Sequence, residues 1–198
     1  MATVPFEDLP VLDVNLWRST SASDKAEFAR QLRIACHDVG FFYVRGHGVA
    51  ADVIAAAFAA SKSFFDLPLE RKLRIESINS PYFRGYTRLG NERTNGAQDY
   101  REQIDFGSEM PPSDVANAAE GNEHAYLHGP NQWPSESDCA GFRDALETLM
   151  SHLYRLGVDL MAAIAVSLGL AENYFEDTFE RDPHIRMKVR TKTENNRK

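Results

Sequence analysis

"SDCAGFRDALETLMSHLYRLGVDLMAAIAVSLGL" (137–170) is the stretch on which the fold turns. Phe142, Leu146, Leu149, Leu153, Leu156 and Leu160 recur at three- and four-residue spacing, which predicts one apolar stripe on a helix. Gly169 supplies the stop. A helix of roughly 30 residues, about 45 Å long, must lie against something large. The residues before it hold few strand-like runs from which to build a sheet. The spacing therefore predicts an α+β fold whose main sheet is mostly missing from this chain.

Upstream, "LPVLDV" (9–14) reads as a short strand. "STSASDKAEFARQLRIACHDVG" (19–40) reads as a helix capped by Ser23 or Asp24, with Phe28, Leu32 and Ala35 on one face and Gly40 as its end. "GFFYVRGHGV" (40–49), dense in aromatic and β-branched residues, reads as a buried strand with a tight turn. "ADVIAAAFAASKSFFDL" (51–67) is a second helix, and Pro68 can open a further helical turn. Residues 76–136 are rich in Gly, Asn, Pro and Ser, and read as long ordered loops with short strands such as "REQIDFG" (101–107). "AENYFEDTF" (171–179) makes one more short helix, and "IRMKV" (185–189) begins a strand.

Composition narrows the function classes. The net charge is −7, yet residues 186–198 hold six basic residues against the single acid Glu194, so the body is more acidic than the total suggests. That body argues against nucleic-acid binding, which needs clustered Lys and Arg. Cys36 and Cys139 lack CxxC spacing and read as free thiols in a reducing compartment. "MATVPFEDLP" carries no secretory signal pattern, and no run is read as a membrane span, so the expectation is a cytoplasmic protein.

Chemistry-bearing motifs are few. The six histidines are His37, His47, His124, His128, His152 and His184. His124 and His128 in "EHAYLH" have i, i+4 spacing, but Gly-Asn and Gly-Pro flank them and speak against a helix. They read as loop residues, and His47 reads as a hydrogen-bonding turn residue. There is no glycine-rich phosphate loop and no GxSxG elbow. From the residues alone, no catalytic or metal-binding set is expected.

Seven stretches in order, "LPVLDV", "ACHDVGFFYVRGHGV", "SKSFFDLPLERK", "RGYTRLGNE", "DYREQIDFG", "GPNQWP" and "SLGLAENYF", resemble the isopenicillin N synthase-like branch of the Fe(II)- and 2-oxoglutarate-dependent oxygenases. The resemblance covers about residues 8–188. It implies a non-haem dioxygenase N-terminal domain over 1–136. It further implies a backing helix and the start of a truncated oxygenase core over 137–188, with a non-family basic tail at 189–198. In the family a jelly-roll (double-stranded β-helix) core holds Fe(II) through His-x-Asp and a distant His, and 2-oxoglutarate through Arg-x-Ser.

Neither pattern occurs here. The residues two after the histidines are Val39, Val49, Tyr126, Pro130, Tyr154 and Arg186, none a carboxylate, and no Arg has Ser two positions on. "RTKTENNRK" (190–198) has no apolar residue, which reads as a solvated tail unable to pair into a buried sheet. A reading frame that leaves the family's path between Lys188 and Arg190 would produce such an ending, through a retained intron, a frameshift or a premature stop.

The resemblance carries over only the loop "YFRGYTRLGNE" (82–92), where Arg84 and Tyr86 are the expected substrate contacts. Arg84 suits a substrate carboxylate, or alternatively pairs with Glu92 or Asp99. When complete, the protein would oxidise a small molecule of specialised metabolism with Fe(II), O₂ and 2-oxoglutarate. Isopenicillin N synthase itself dispenses with 2-oxoglutarate. The 198-residue chain itself is expected to bind no cofactor tightly and to self-associate through exposed apolar surface. The alternative is a non-catalytic remnant or interaction module.

Overall fold

The computed structural model of the chain describes residues 9–91, 93–94, 97–98, 101–113, 123–179 and 183–192. In chain order the elements begin with β1 (Val11–Asp13), α1 (Val14–Trp17), α2 (Ala22–Ile34), β2 (Tyr43–Arg45), α3 (Ala51–Phe65) and α4 (Leu69–Lys72). There follow β3 (Gly85–Thr87), β4 (Arg93–Thr94), β5 (Ala97–Gln98), β6 (Arg101–Gly107), α5 (Phe142–Ser167), α6 (Glu176–Phe179) and β7 (Arg186–Lys192). They fall into two compact units, Met1–Ala50 with Ser151–Pro183, and Ala51–Met150 with His184–Lys198.

In the first unit β1 and β2 pair in parallel, Leu12 opposite Val44, with α2 in the crossover. Asp13 accepts from the amide of Asn15 and so caps α1. Ser21, not Ser23 or Asp24, caps α2, because its hydroxyl faces the Asp24 amide one turn on. Phe28, Leu32 and Ala35 are buried as their spacing predicts. Gly40, at φ +85°, ends that helix after a π-turn over Ala35–Val39. These residues share a core with Trp17, Leu156 and Ala163. Arg18 donates to Asp159 at 2.6 and 2.8 Å, and Arg33 reaches the Ser167 carbonyl at the end of α5 at 2.9 Å. "GFFYVRGHGV" differs from its expected burial. Phe42 and Val44 pack inward, whereas Phe41 is 73% and Tyr43 61% exposed, since a two-stranded pair with one covered face leaves alternate residues out.

The second unit is built on an antiparallel sheet of order β3-β6-β7. Its core face sets Tyr86, Ile104, Phe106, Met187 and Val189 against Phe64, Phe142 and Leu146 from the helices. Phe106 stacks on Trp133 at 4.5 Å, and Phe64 meets Phe142 at 5.3 Å. β6 spans the stretch "REQIDFG" that reads as a strand in the sequence.

Two expectations are corrected here. The chain does not leave its strand at Val189. β7 pairs with β6 through Lys192, with Arg190 opposite Gln103 and Thr191 opposite Glu102. An edge strand needs backbone partners and apolar residues on one face only, and Met187 and Val189 supply that face. Nor does the long helix lack cover along its whole stripe. Phe142 and Leu146 enter the second unit's core and Leu156 the first unit's, while Leu153 remains 45% exposed. By length and composition alone α5 also meets the requirement for a membrane crossing, which the sequence reading did not foresee. Large exposed side chains elsewhere include Ile78 (83%), Phe58 (71%) and Phe83 (66%).

Candidate functional site

The three-stranded sheet gathers the chemistry-bearing side chains of the second unit on both of its faces. On the core side, Lys72 Nζ donates to Glu102 at 2.8 Å and to the Phe65 carbonyl at 3.0 Å. Tyr86 donates its hydroxyl to the same Glu102 oxygen at 2.5 Å. Burial first, and then the Glu102 carboxylate, push the Tyr86 phenol up. Beside this cluster Glu76 is clamped by the forked guanidinium of Arg88, whose hydrogen bond holds the carboxyl below its usual range.

The other face is polar. Residues Arg101, Gln103, Asp105 and Gly107 of β6 alternate with the core residues, and Arg186, Lys188 and Arg190 of β7 stand beside them. Lys188 lies 3.5 Å from Asp105. Arg84 enters this face from the start of β3, flanked by Phe83 at φ 53° and Gly85 at φ +111°. Its guanidinium fills the space above Gly107, where an added Cβ would collide with Nη2. Nη2 donates to the Leu127 carbonyl at 2.8 Å, and Nη1 to Tyr82 and Phe83 carbonyls at 3.2 and 3.4 Å. Nε is buried with no acceptor among the described residues.

Arg84 and Tyr86, the two substrate contacts that the resemblance implies, thus lie in and beside one sheet. Both are 1% exposed. Strand alternation turns Tyr86 into the core, and three backbone carbonyls draw Arg84 inward. The alternative partners Glu92 and Asp99 lie outside the described residues.

Sequence reasoning missed the clip made by "GPNQWP". The Asn131 side chain pairs with both backbone groups of Gly107 at 2.9 Å, and Gln132 donates to the carbonyls of Glu76 and Arg84. Trp133 donates to Glu109 at 3.0 Å. The run of amide side chains just before a partly buried Trp is the signal that could have revealed it.

The histidines stay apart from this face in role. His47 accepts from the Val49 amide at 3.1 Å, the turn bond expected of it. His37 contacts Asp38, and His128 stacks on His184 at 5.5 Å. The side chain of His124 lies outside the described residues. Among the described residues no three His, Cys, Asp or Glu side chains gather where they could hold a metal ion. The first unit carries two open clefts, of about 420 Å³ beside Met161 and Phe175, and about 600 Å³ beside Trp17 and Lys25.

Comparison with known proteins adds the family. A family model described as non-haem dioxygenase in morphine synthesis, N-terminal, matches residues 9–136. A 2-oxoglutarate-dependent dioxygenase of Dothideomycetidae sp. is 35% identical over 187 residues, 93% of this chain and 48% of that protein. A homoarginine-6-hydroxylase of Arabidopsis thaliana is 34% identical across 91% of the chain and 51% of its own length. Among solved structures, a full-length Neurospora crassa protein in complex with α-KG and 5-formyluracil superposes with a TM-score of 0.74 at 26% identity. That match covers 96% of this chain and 54% of the other. The chain spans about half the length of the curated relatives it matches.

Proposed function

The chain belongs to the Fe(II)- and 2-oxoglutarate-dependent oxygenase family, and on that premise we propose that it is the N-terminal portion of an enzyme oxidising a small molecule in specialised metabolism. The observation that carries this reading is the 35% identity to a 2-oxoglutarate-dependent dioxygenase across 93% of the chain. In this proposal the second half of the family fold, the jelly-roll core, supplies Fe(II) and 2-oxoglutarate. The donor set among the described residues does not fit an iron site, so no catalytic step is assigned to them. What these residues contribute is support, namely a sheet whose polar face carries Arg84 and whose core face is locked by Tyr86 and Glu102. Both cysteines are free thiols, which suits the cytoplasm.

Two measurements test this division of labour. Titration of the 198-residue chain with Fe(II) under argon is expected to show no stoichiometric site of micromolar or tighter affinity; such a site would place iron chemistry in this half. The second concerns surface. Ile78, Phe58 and Phe83 of the second unit and Phe41 of the first are each exposed apolar side chains, and exposed apolar surface favours association. Light scattering is expected to find oligomers, and the dye ANS to bind; a monodisperse monomer that leaves ANS dark would overturn self-association. The same exposed residues favour the second reading, an interaction module without catalysis, which predicts a stable partner complex and no gain of activity when a core is supplied.

A further inference from the structure

In the first unit the chain after α5 doubles back along that helix and is tied down at both ends. Gly169, at φ +77°, turns the backbone, and the Leu170 amide donates to the Ala165 carbonyl at 2.9 Å. At the far end the Tyr154 hydroxyl donates to the Phe179 carbonyl at 3.0 Å. About 16 Å of helix axis separates Tyr154 from Ala165. Between the two ties residues 170–179 stand off α5 and leave the cleft of about 420 Å³, a volume within the range of small-molecule sites. Val158 and Met161 of α5 form one wall, and Phe175 and Phe179 the other, their rings edge to face at 6.3 Å. The mouth is acidic. Exposed Glu172 and Glu176 line it, and no Lys, Arg or His does among the described residues. Glu176 forms no ion pair among the described residues. Glu172 already accepts an ammonium group from within the chain, that of Lys25 at 3.1 Å, which lies 4.8 Å over the Trp17 ring in the adjoining cleft.

We propose that this cleft binds a small organic ammonium ion, its apolar body between Met161 and Phe175 and its N–H groups donating to Glu176 and Glu172. The site lies wholly in the first unit and uses neither iron nor 2-oxoglutarate, so it stands apart from the oxygenase reading. Burial of the apolar body supplies the affinity, and the two carboxylates supply the choice of charge. A carboxylic acid of the same shape meets like charge at the mouth and is turned away. The cleft has the size of a small ligand, whereas a stable protein interface spreads over roughly 1,200–2,000 Å². That favours a small molecule over a second copy of the chain.

The test uses the 198-residue chain labelled in its methionine methyl groups, with phenethylammonium as the probe. Phenethyl alcohol is its neutral twin and phenylacetate its anionic counterpart, all at matched ionic strength. The Met161 methyl resonance, assigned by its loss in Met161→Leu, is expected to shift saturably at millimolar ammonium, while that of Met187 in the second unit stays still. The ammonium should bind about threefold to fivefold more tightly than the alcohol, the scale of exposed ion pairs, and phenylacetate should not bind. Glu176→Gln should cut that preference to about twofold or less, and Glu176→Lys should abolish ammonium binding; the position is exposed, so the fold is kept. Ala162→Leu places a larger side chain in the cleft and should silence ammonium and alcohol alike. Should Ala162→Leu lower the melting temperature, the two Glu176 variants decide the matter alone. Equal affinity for the alcohol, wild-type affinity in Glu176→Lys, or no saturable shift at Met161 would each sink the site. A Met161 resonance that moves with protein concentration in the absence of ligand would give the cleft to a second copy of the chain, and overturn the ammonium site as well.

Discussion

Glu102→Ala is expected to destabilise the chain by about 3–5 kcal/mol, because it strands a buried ammonium group. The Lys72 side chain is 9% exposed and that of Glu102 14% exposed. One Glu102 oxygen receives both Lys72 Nζ and the Tyr86 hydroxyl, and Lys72 also lies 5.5 Å over the Tyr86 ring. Without the carboxylate, Lys72 keeps one carbonyl and the ring, neither of which neutralises it. With a typical total of about 5–15 kcal/mol, the loss takes about a fifth or more of the stability. The triple substitution Lys72→Met, Tyr86→Phe and Glu102→Leu removes every stranded group at once and should recover most of it. Urea unfolding measures both. A Glu102→Ala midpoint close to wild type would mean that water already reaches the cluster, and a triple variant as unstable as the single one would mean that shape, not charge, sets the loss.

How much of this was legible in the sequence follows from which signals are local. The stripe Phe28, Leu32 and Ala35 predicts a buried helix face, and all three are buried. Gly40 and Gly169 end helices at positive φ, where a side chain would strain the backbone. "REQIDFG" is a strand because its apolar positions alternate. What failed depended on partners distant in sequence. The tail after Val189 looked unable to pair because it lacks apolar residues, yet strand pairing at an edge is a backbone matter decided by β6. No local signal sets the register of Tyr86, which the resemblance offers as a substrate contact. Its register opposite Ile104 puts it in the core. The seat of the Arg84 guanidinium is equally non-local, since it exists only because position 107, on another strand, carries no side chain.

The largest expected effect is a gain of chemistry. Joining the second half of a homologous oxygenase to this chain after Lys192 should produce Fe(II)- and 2-oxoglutarate-dependent succinate release where the 198 residues alone give none. The junction follows the structure. Cutting at Val189 would remove Arg190, Thr191 and Lys192, which pair with Gln103, Glu102 and Arg101, and would leave the Lys72–Glu102 cluster beside an open edge. Kept whole, β7 hands the next strand a formed sheet, and α5 arrives with Phe142 and Leu146 already packed. Uncoupled turnover needs iron, 2-oxoglutarate and O₂ but no organic substrate, so it reads the assembly of the fold independently of specificity. Alanine in place of the grafted His-x-Asp aspartate should abolish the signal, since one of three iron ligands is lost. A folded hybrid that releases no succinate would return the chain to the class of interaction modules.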